Sequence, residues 1–269
     1  MTETTFTFEV LDDLALAIAD GVLGRDAVLS RPLAGTRAGP LLELLQLRAA
    51  DRWPRSVVDM IEEGALHEFM AALRAGWNLW VCRSGRYGFM RLGDTFGNDE
   101  ELRWTGFGLK ADKAMQAAGL PAGLAGQLVG ATKELHSNVY EHSEKSRTGI
   151  IAFAVHREIA EFIVADSGVG ILASLKSNPA HTSLQHEGEA LRLALQPGVS
   201  RHYGEPMRGH GFDLMFTGLL NRGSKLRFRS GGAAVTIDGC GKDNPVPVIR
   251  ERPTMQGFLI AVDFYGMKS

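Results

Sequence analysis

Cysteine is scarce in this chain. Cys82 and Cys240 are the two cysteines among 269 residues, too few for a disulfide framework and suited to reduced thiols. No apolar run approaches the roughly 20 residues that a membrane-spanning helix needs. Neither charge sign is in excess: 29 basic residues face 31 acidic ones, for a net charge of −2, which leaves no electrostatic footprint for nucleic acid. The start, Met1-Thr2-Glu3-Thr4-Thr5-Phe6, lacks both a basic region and the apolar stretch of a signal peptide. Internal repeats are also missing. These absences lead to the expectation of a cytoplasmic protein, long enough for one large or two modest domains.

What the chain does carry is concentrated in three boxes. Residues 134–143 read Glu-Leu-His-Ser-Asn-Val-Tyr-Glu-His-Ser. Glu134, Asn138 and His142 recur at i, i+4, i+8 and so form one stripe of a helix, while Leu135 and Val139 form a neighbouring apolar stripe that can pack on a sheet. An Asn amide oxygen is a hard, neutral donor suited to Mg²⁺, which keeps most of its waters and bridges protein to phosphate. Glu134, one turn earlier, can orient or deprotonate a group attacking a terminal phosphate. Taken alone, such a stripe also suits a solvated polar face.

The second box, Asp166-Ser167-Gly168-Val169-Gly170-Ile171, closes the apolar run Phe162-Ile163-Val164-Ala165, whose length and β-richness predict a buried strand. A carboxylate at the strand end can accept from the exocyclic amine of adenine. The glycines behind it permit close backbone approach and positive φ. An ordinary Asp-Ser-Gly turn would look the same in isolation. The third box, Gly209-His210-Gly211-Phe212, opens a segment in which Phe212, Met215, Phe216 and Leu219 follow helical spacing. Free N–H groups at such a helix start favour an anion.

In this order and at these distances, the three boxes resemble the N box and two glycine boxes of the GHKL superfamily, the ATPases of gyrase, Hsp90, histidine kinase and MutL type. The resemblance covers about residues 110–266. It implies a Bergerat-type α/β (α+β) sandwich, a mixed sheet with helices on one face. It implies ATP and Mg²⁺ as ligands, with Glu134 catalytic and Asn138 on the metal. Asp166, Gly168, Gly170 and Ile171 would take the base, and Gly209, His210, Gly211 and Phe212 the phosphate side. His142 is a pocket candidate or a packed structural histidine. The segment 172–208 would be the mobile ATP lid. Two departures stand out: Asp213 replaces a further glycine, and Glu141 occupies a position often held by Lys or Arg. Lys145, Arg147, Arg201 or Arg208 would then have to neutralise phosphate. His181, His186, His202 and His210 lack compact metal-ligand spacing.

Elsewhere, Pro121 should separate two helical stretches, the second running into the N box. Residues 151–155 and 161–165 should be strands, and Gly231-Gly232 should turn a hairpin between Leu226/Phe228 and Val235/Ile237. A final strand should follow Gly257. Residues 1–105 suggest a smaller, separate mixed α/β domain of regulatory or partner-binding type, with a strand at 6–10, helices at 41–49 and 57–73 and a strand at 77–81. His67-Glu68 lacks the proline and helical hairpin of a phosphoacceptor region, and no transducer domain is expected after the last strand.

Two functions follow. One is a signalling kinase or ATPase that moves the γ-phosphoryl to a partner's His or Ser, or to water. The other is a nucleotide-gated interaction module with little turnover. Expected partners are an adenine nucleotide and a protein partner or phosphoacceptor, with a homodimer as one option and with no nucleic acid or membrane.

Overall fold

The computed structural model describes residues 4–24, 29, 32–48, 53–156, 159–196, 223–241 and 245–265. Its centre is a six-stranded sheet of β4 (Leu79–Val81), β5 (Tyr87–Arg91), β6 (Ile150–His156), β7 (Ile159–Asp166), β8 (Ser224–Asp238) and β9 (Val248–Tyr265). The spatial order is β4-β5-β6-β7-β9-β8. Every neighbouring pair is antiparallel, so the expected mixed pairing is not found in this sheet. Parallel pairing occurs instead in a small second sheet of two-residue strands, β1 (Thr4–Thr5), β2 (Leu33–Ala34) and β3 (Ile61–Glu62). The architecture is mixed α/β.

Strand β7 shows why its sequence is almost uniformly apolar. Ala160, Phe162 and Val164 enter one core, and Ile163 and Ala165 enter another on the opposite face. A strand covered on both sides has no solvated face to mark with polar residues. On the first face lie α5 (Asn98–Ala117) and α6 (Ala122–His142), with α7 (Gly170–Lys176) and α8 (Glu187–Ala194). Leu135 and Val139 of α6 are buried there, as their spacing predicts, each contributing about 1.5–3 kcal/mol by leaving water. On the second face lie α1 (Phe8–Ala19), α2 (Ala38–Arg48) and α4 (His67–Arg74), while the short α3 (Arg55–Asp59) leads into β3. Small residues Ala152, Ala154, Ala165 and Ala261 line this face. They let α2 come so close that a Cβ on Gly39 would overlap the Phe8 ring and crowd Ala261. Helix α2 is buried almost all round, as a helix sandwiched between layers must be.

Charge rivets this second face. Arg227 of β8 donates to both Asp12 of α1 and Glu43 of α2, at 2.6–3.1 Å. Arg229 pairs with Glu43 at 2.9 Å, and Arg252 with Asp12 at 2.7 Å. Nearby, Arg37 pairs with Glu161 at 2.9 Å and with Asp263, while Glu161 also accepts from Ala38 N–H at 2.8 Å, satisfying the start of α2.

Five further expectations are corrected. Helices cover both faces of the sheet, because α1, α2 and α4 pack onto the face that was expected to be bare. The boundary expected at 105/106 falls inside α5, and β4 and β5 belong to the same sheet as β6–β9, so the described residues before 105 do not stand apart. Gly231-Gly232 is not a turn; it is an irregularity within one long strand, where the register to β9 shifts. The strand expected at 6–10 is largely α1, capped by the Thr7 side chain, and 57–73 is broken into α3, β3, a 3₁₀ turn and α4. The first part of the expected lid contains most of α7 and all of α8, and its residues 197–208 lie outside the described residues. Among the described residues, no helix is long and apolar enough to cross a membrane.

Candidate functional site

Helix α6 ends where β7 ends, and the two termini are tied together. Val169 N–H donates to the Ser143 carbonyl at 3.0 Å, and the Ser143 hydroxyl hydrogen-bonds the Asp166 carboxylate. Asp166 Oδ1 also accepts from Gly168 N–H at 2.6 Å. Ser167 N–H is taken by Thr148 Oγ1 at 2.9 Å. The approach is so close that a Cβ on Gly168 would overlap both Ser143 oxygens. The first two boxes therefore form one junction.

Asp166 is 1% exposed, and its second oxygen, Oδ2, is buried without a hydrogen-bond partner among the described residues. Burial pushes its carboxyl up to about 6, against the opposing pull of the Gly168 and Ser143 hydrogen bonds. A buried acceptor without a donor is costly, and a ligand amine would satisfy it. Behind it the backbone follows the same logic. Gly170 starts α7 at φ 78°, and Gly257 adopts φ 75° where a Cβ would overlap the Asp166 carbonyl. Ile171 N–H donates to Ser230 Oγ at 3.0 Å, and that hydroxyl donates to Gly257 O at 2.9 Å.

Glu134 and Asn138 sit on the outward stripe of α6, the first exposed and the second half-buried, with His142 half-buried one turn later. Asn138 offers one neutral oxygen with a carboxylate a turn away, a set that fits Mg²⁺ held largely by water and phosphate. Among the described residues, no group of three His, Cys, Asp or Glu could hold a metal by itself. Lys145 is exposed beside the junction, whereas Arg147 pairs with Asp94. Gly209, His210, Gly211, Phe212, Arg201, Arg208 and His202 lie outside the described residues.

The other face of α6 is internal. His136 is fully buried, stacks on Trp104 and meets Glu100 at 3.2 Å, and burial lowers its pKa. Tyr140 accepts from Gly93 N–H at 2.8 Å. His136 thus holds α6 against α5, and Tyr140 holds it against the segment that leads from β5 into α5.

One supporting residue escaped the sequence reading altogether. Gln46, on α2 across the sheet, donates to the Asp166 carbonyl at 2.6 Å and to the Phe258 carbonyl at 3.2 Å. No local pattern could mark it, since its partners lie 120 and 212 residues away. A cavity of about 830 Å³ also touches the second box, lined by Gly168, Gly170, Glu187, Ile18, Leu47 and Trp53, among others. It opens toward α1 and α2, and neither Glu134 nor Asn138 lines it. The two glycines thus form part of a wall facing the N-terminal helices, a role the motif did not suggest. Comparison of the chain with protein-family models, curated proteins and solved structures finds no match.

Proposed function

We propose that the chain binds ATP with Mg²⁺ at the junction of α6 and β7, as a signalling kinase or ATPase of the histidine-kinase-like class, and passes the γ-phosphoryl to a protein partner or to water. In this reading the antiparallel sheet and α6 form a Bergerat-type core. Asp166 Oδ2 accepts from the adenine amine, Gly168, Gly170 and Ile171 line the base, and His142 borders it. Asn138 holds Mg²⁺, which would bridge the phosphates and neutralise their charge. Glu134 orients and deprotonates the attacking group, and its exposure leaves it open to an incoming acceptor. Lys145 offers a cation at the rim. The observation that carries the reading is the buried, unpartnered Asp166 oxygen beside a turn that admits no Cβ.

The test is calorimetry with ATP and Mg²⁺, on the wild type and on Asp166→Asn. The amide can present a donor where the amine needs an acceptor, and an unpaired buried group costs about 1–3 kcal/mol, so affinity should fall roughly tenfold or more. Unchanged affinity in a folded variant would remove Asp166 from the site. A second reading, a nucleotide-gated interaction module, is favoured by Gln46 and by the cavity that joins the glycine box to α1 and α2. Glu134→Gln separates the two. Loss of a general base costs about 10²–10⁴ in rate with ATP affinity retained. A wild type without turnover toward any partner, and a variant that binds partners normally, would leave the module.

A further inference from the structure

Tyr140 projects from the side of α6 opposite Glu134 and Asn138, and beyond its partner Gly93 the end of β5 opens into a second cavity. This cavity measures about 510 Å³, and its lining includes Arg74, Arg91, Arg103, Arg147, Asn78 and Asp94. Four guanidinium groups on one small wall demand acids. Arg74 finds Glu63, Arg103 finds Glu100 at 2.6 Å, and Arg147 finds Asp94. Arg91 forms no salt bridge among the described residues. One of its terminal nitrogens donates to the Leu73 carbonyl at 2.9 Å, and its Nε is buried without a partner. Arg103 in turn donates to the Arg91 carbonyl at 2.9 Å, which fixes the two arginines together.

Arg91 is half-buried, and even partial withdrawal of a cation from water without a counterion is unfavourable. Burial alone lowers the Arg91 pKa, with no carboxylate to pull it back up. The sum of four arginines and three acids is one positive charge in excess, and Arg91 carries it. An incoming oxyanion would supply the missing charge and acceptor. Planar guanidinium groups match such oxygens with paired N–H donors. A tetrahedral phosphate presents three oxygens and nearly two negative charges, so it can engage Arg91 and still reach Arg103 and the exposed Arg147. A carboxylate has two oxygens and is spent on one fork.

We propose that the cavity between α4, β5 and α5 is a phosphate-binding site, taking free phosphate or a phosphate monoester, with Arg91 and Arg103 as its floor and Arg147 at its rim. The site is separate from the candidate nucleotide junction and does not depend on that reading.

The probe is inorganic phosphate, titrated into the full chain in phosphate-free buffer without nucleotide and followed by calorimetry and by the side-chain N–H signals of the arginines. Phosphate should shift the Arg91 Nε–H resonance. Arg91→Gln and Arg147→Gln should each weaken binding by about tenfold or more, as expected for loss of a charge-assisted hydrogen bond. Arg147 is 75% exposed, so its variant folds whether or not Arg91→Gln does, and Arg91→Lys keeps the charge while losing the fork. Asn138→Ala should leave phosphate binding in place. Unchanged affinity in both Arg147→Gln and Arg91→Lys would overturn the site, and loss of binding in Asn138→Ala would move the phosphate to the nucleotide junction. Acetate binding as tightly as phosphate would overturn the choice of ligand. An Asp166→Asn variant that fails to bind ATP but still binds phosphate separates this site from the nucleotide proposal.

Discussion

Asp263 and Asp166 stand on opposite faces of the sheet, and both are carboxylates whose burial favours the neutral form. Asp263 faces Arg37 and, across the strands, Glu161. Burial and the nearby Glu161 charge outweigh Arg37 and push its carboxyl up to about 7. Folding therefore takes up a proton at this side chain between the usual carboxylate range and about pH 7. The stability it confers is present at low pH and is lost as pH rises through that window. Asp263→Asn mimics the neutral form and leaves Arg37 with Glu161. Urea unfolding at about pH 5 and about pH 8 should show a smaller loss of stability across the interval in the variant than in the wild type. Equal slopes would mean that Asp263 is ionised throughout. Asp166 was legible in the sequence because a strand, an acid and spaced glycines stand side by side. Asp263 was not, because the alternation of Phe258, Ile260, Val262 and Phe264 drew attention to one face of β9 and hid what the other face carries.

Helices α1 and α2 are held to β8 and β9 by a buried set of two carboxylates and three guanidinium groups. Glu43 is fully buried and is shared by Arg227 and Arg229. Glu43→Gln keeps the shape and removes the charge, so Arg229 loses its ion-pair partner in the interior. Breaking one member of a buried ionic set costs about 3–5 kcal/mol, which should appear as a lower urea midpoint with an unchanged denaturant slope. A change below about 0.5 kcal/mol would show that the network is solvated in solution. None of this was readable beforehand: Arg227 lies 215 residues from Asp12 and 184 from Glu43. The elements themselves were partly legible. Residues 122–142 follow a helical apolar period, and 150–156 and 159–166 are short apolar runs of the length that buried strands have. In contrast, Phe6-Thr7-Phe8-Glu9-Val10 alternates like a strand while Thr7 caps a helix that continues through Leu11, Leu14 and Ala15. Gly231-Gly232 failed as a turn because the long partner strand β9 runs past it.

Across the whole molecule, the sheet is shared property. Residues 150–265 supply most of its strands, yet residues 4–74 supply the cover for one of its two faces, along with Asp12, Glu43 and Gln46. The sequence alone favoured a self-sufficient C-terminal domain, since the three boxes lie there and residues 1–105 match no pattern. The structure argues otherwise in terms that can be measured. A fragment of residues 78–269 would expose Ile163, Ala165, Leu259 and Ala261 to water, and would leave Arg227 and Arg229 on a bare sheet without their acids. Glu161 would lose the N–H groups of Ala38 and Gly39, and the Asp166 carbonyl would lose Gln46. An apolar face of this kind is an aggregation surface, and the orphaned ions add to the cost. The fragment should keep much of its far-ultraviolet dichroism, lose its near-ultraviolet signal and bind a hydrophobic dye, the behaviour of a loosely packed state. Residues 1–77 added as a separate chain should restore the near-ultraviolet signal at least in part. A fragment that unfolds cooperatively on its own, and binds ATP as the full chain does, would show that the helical cover on this face is dispensable to the core and to the junction between α6 and β7.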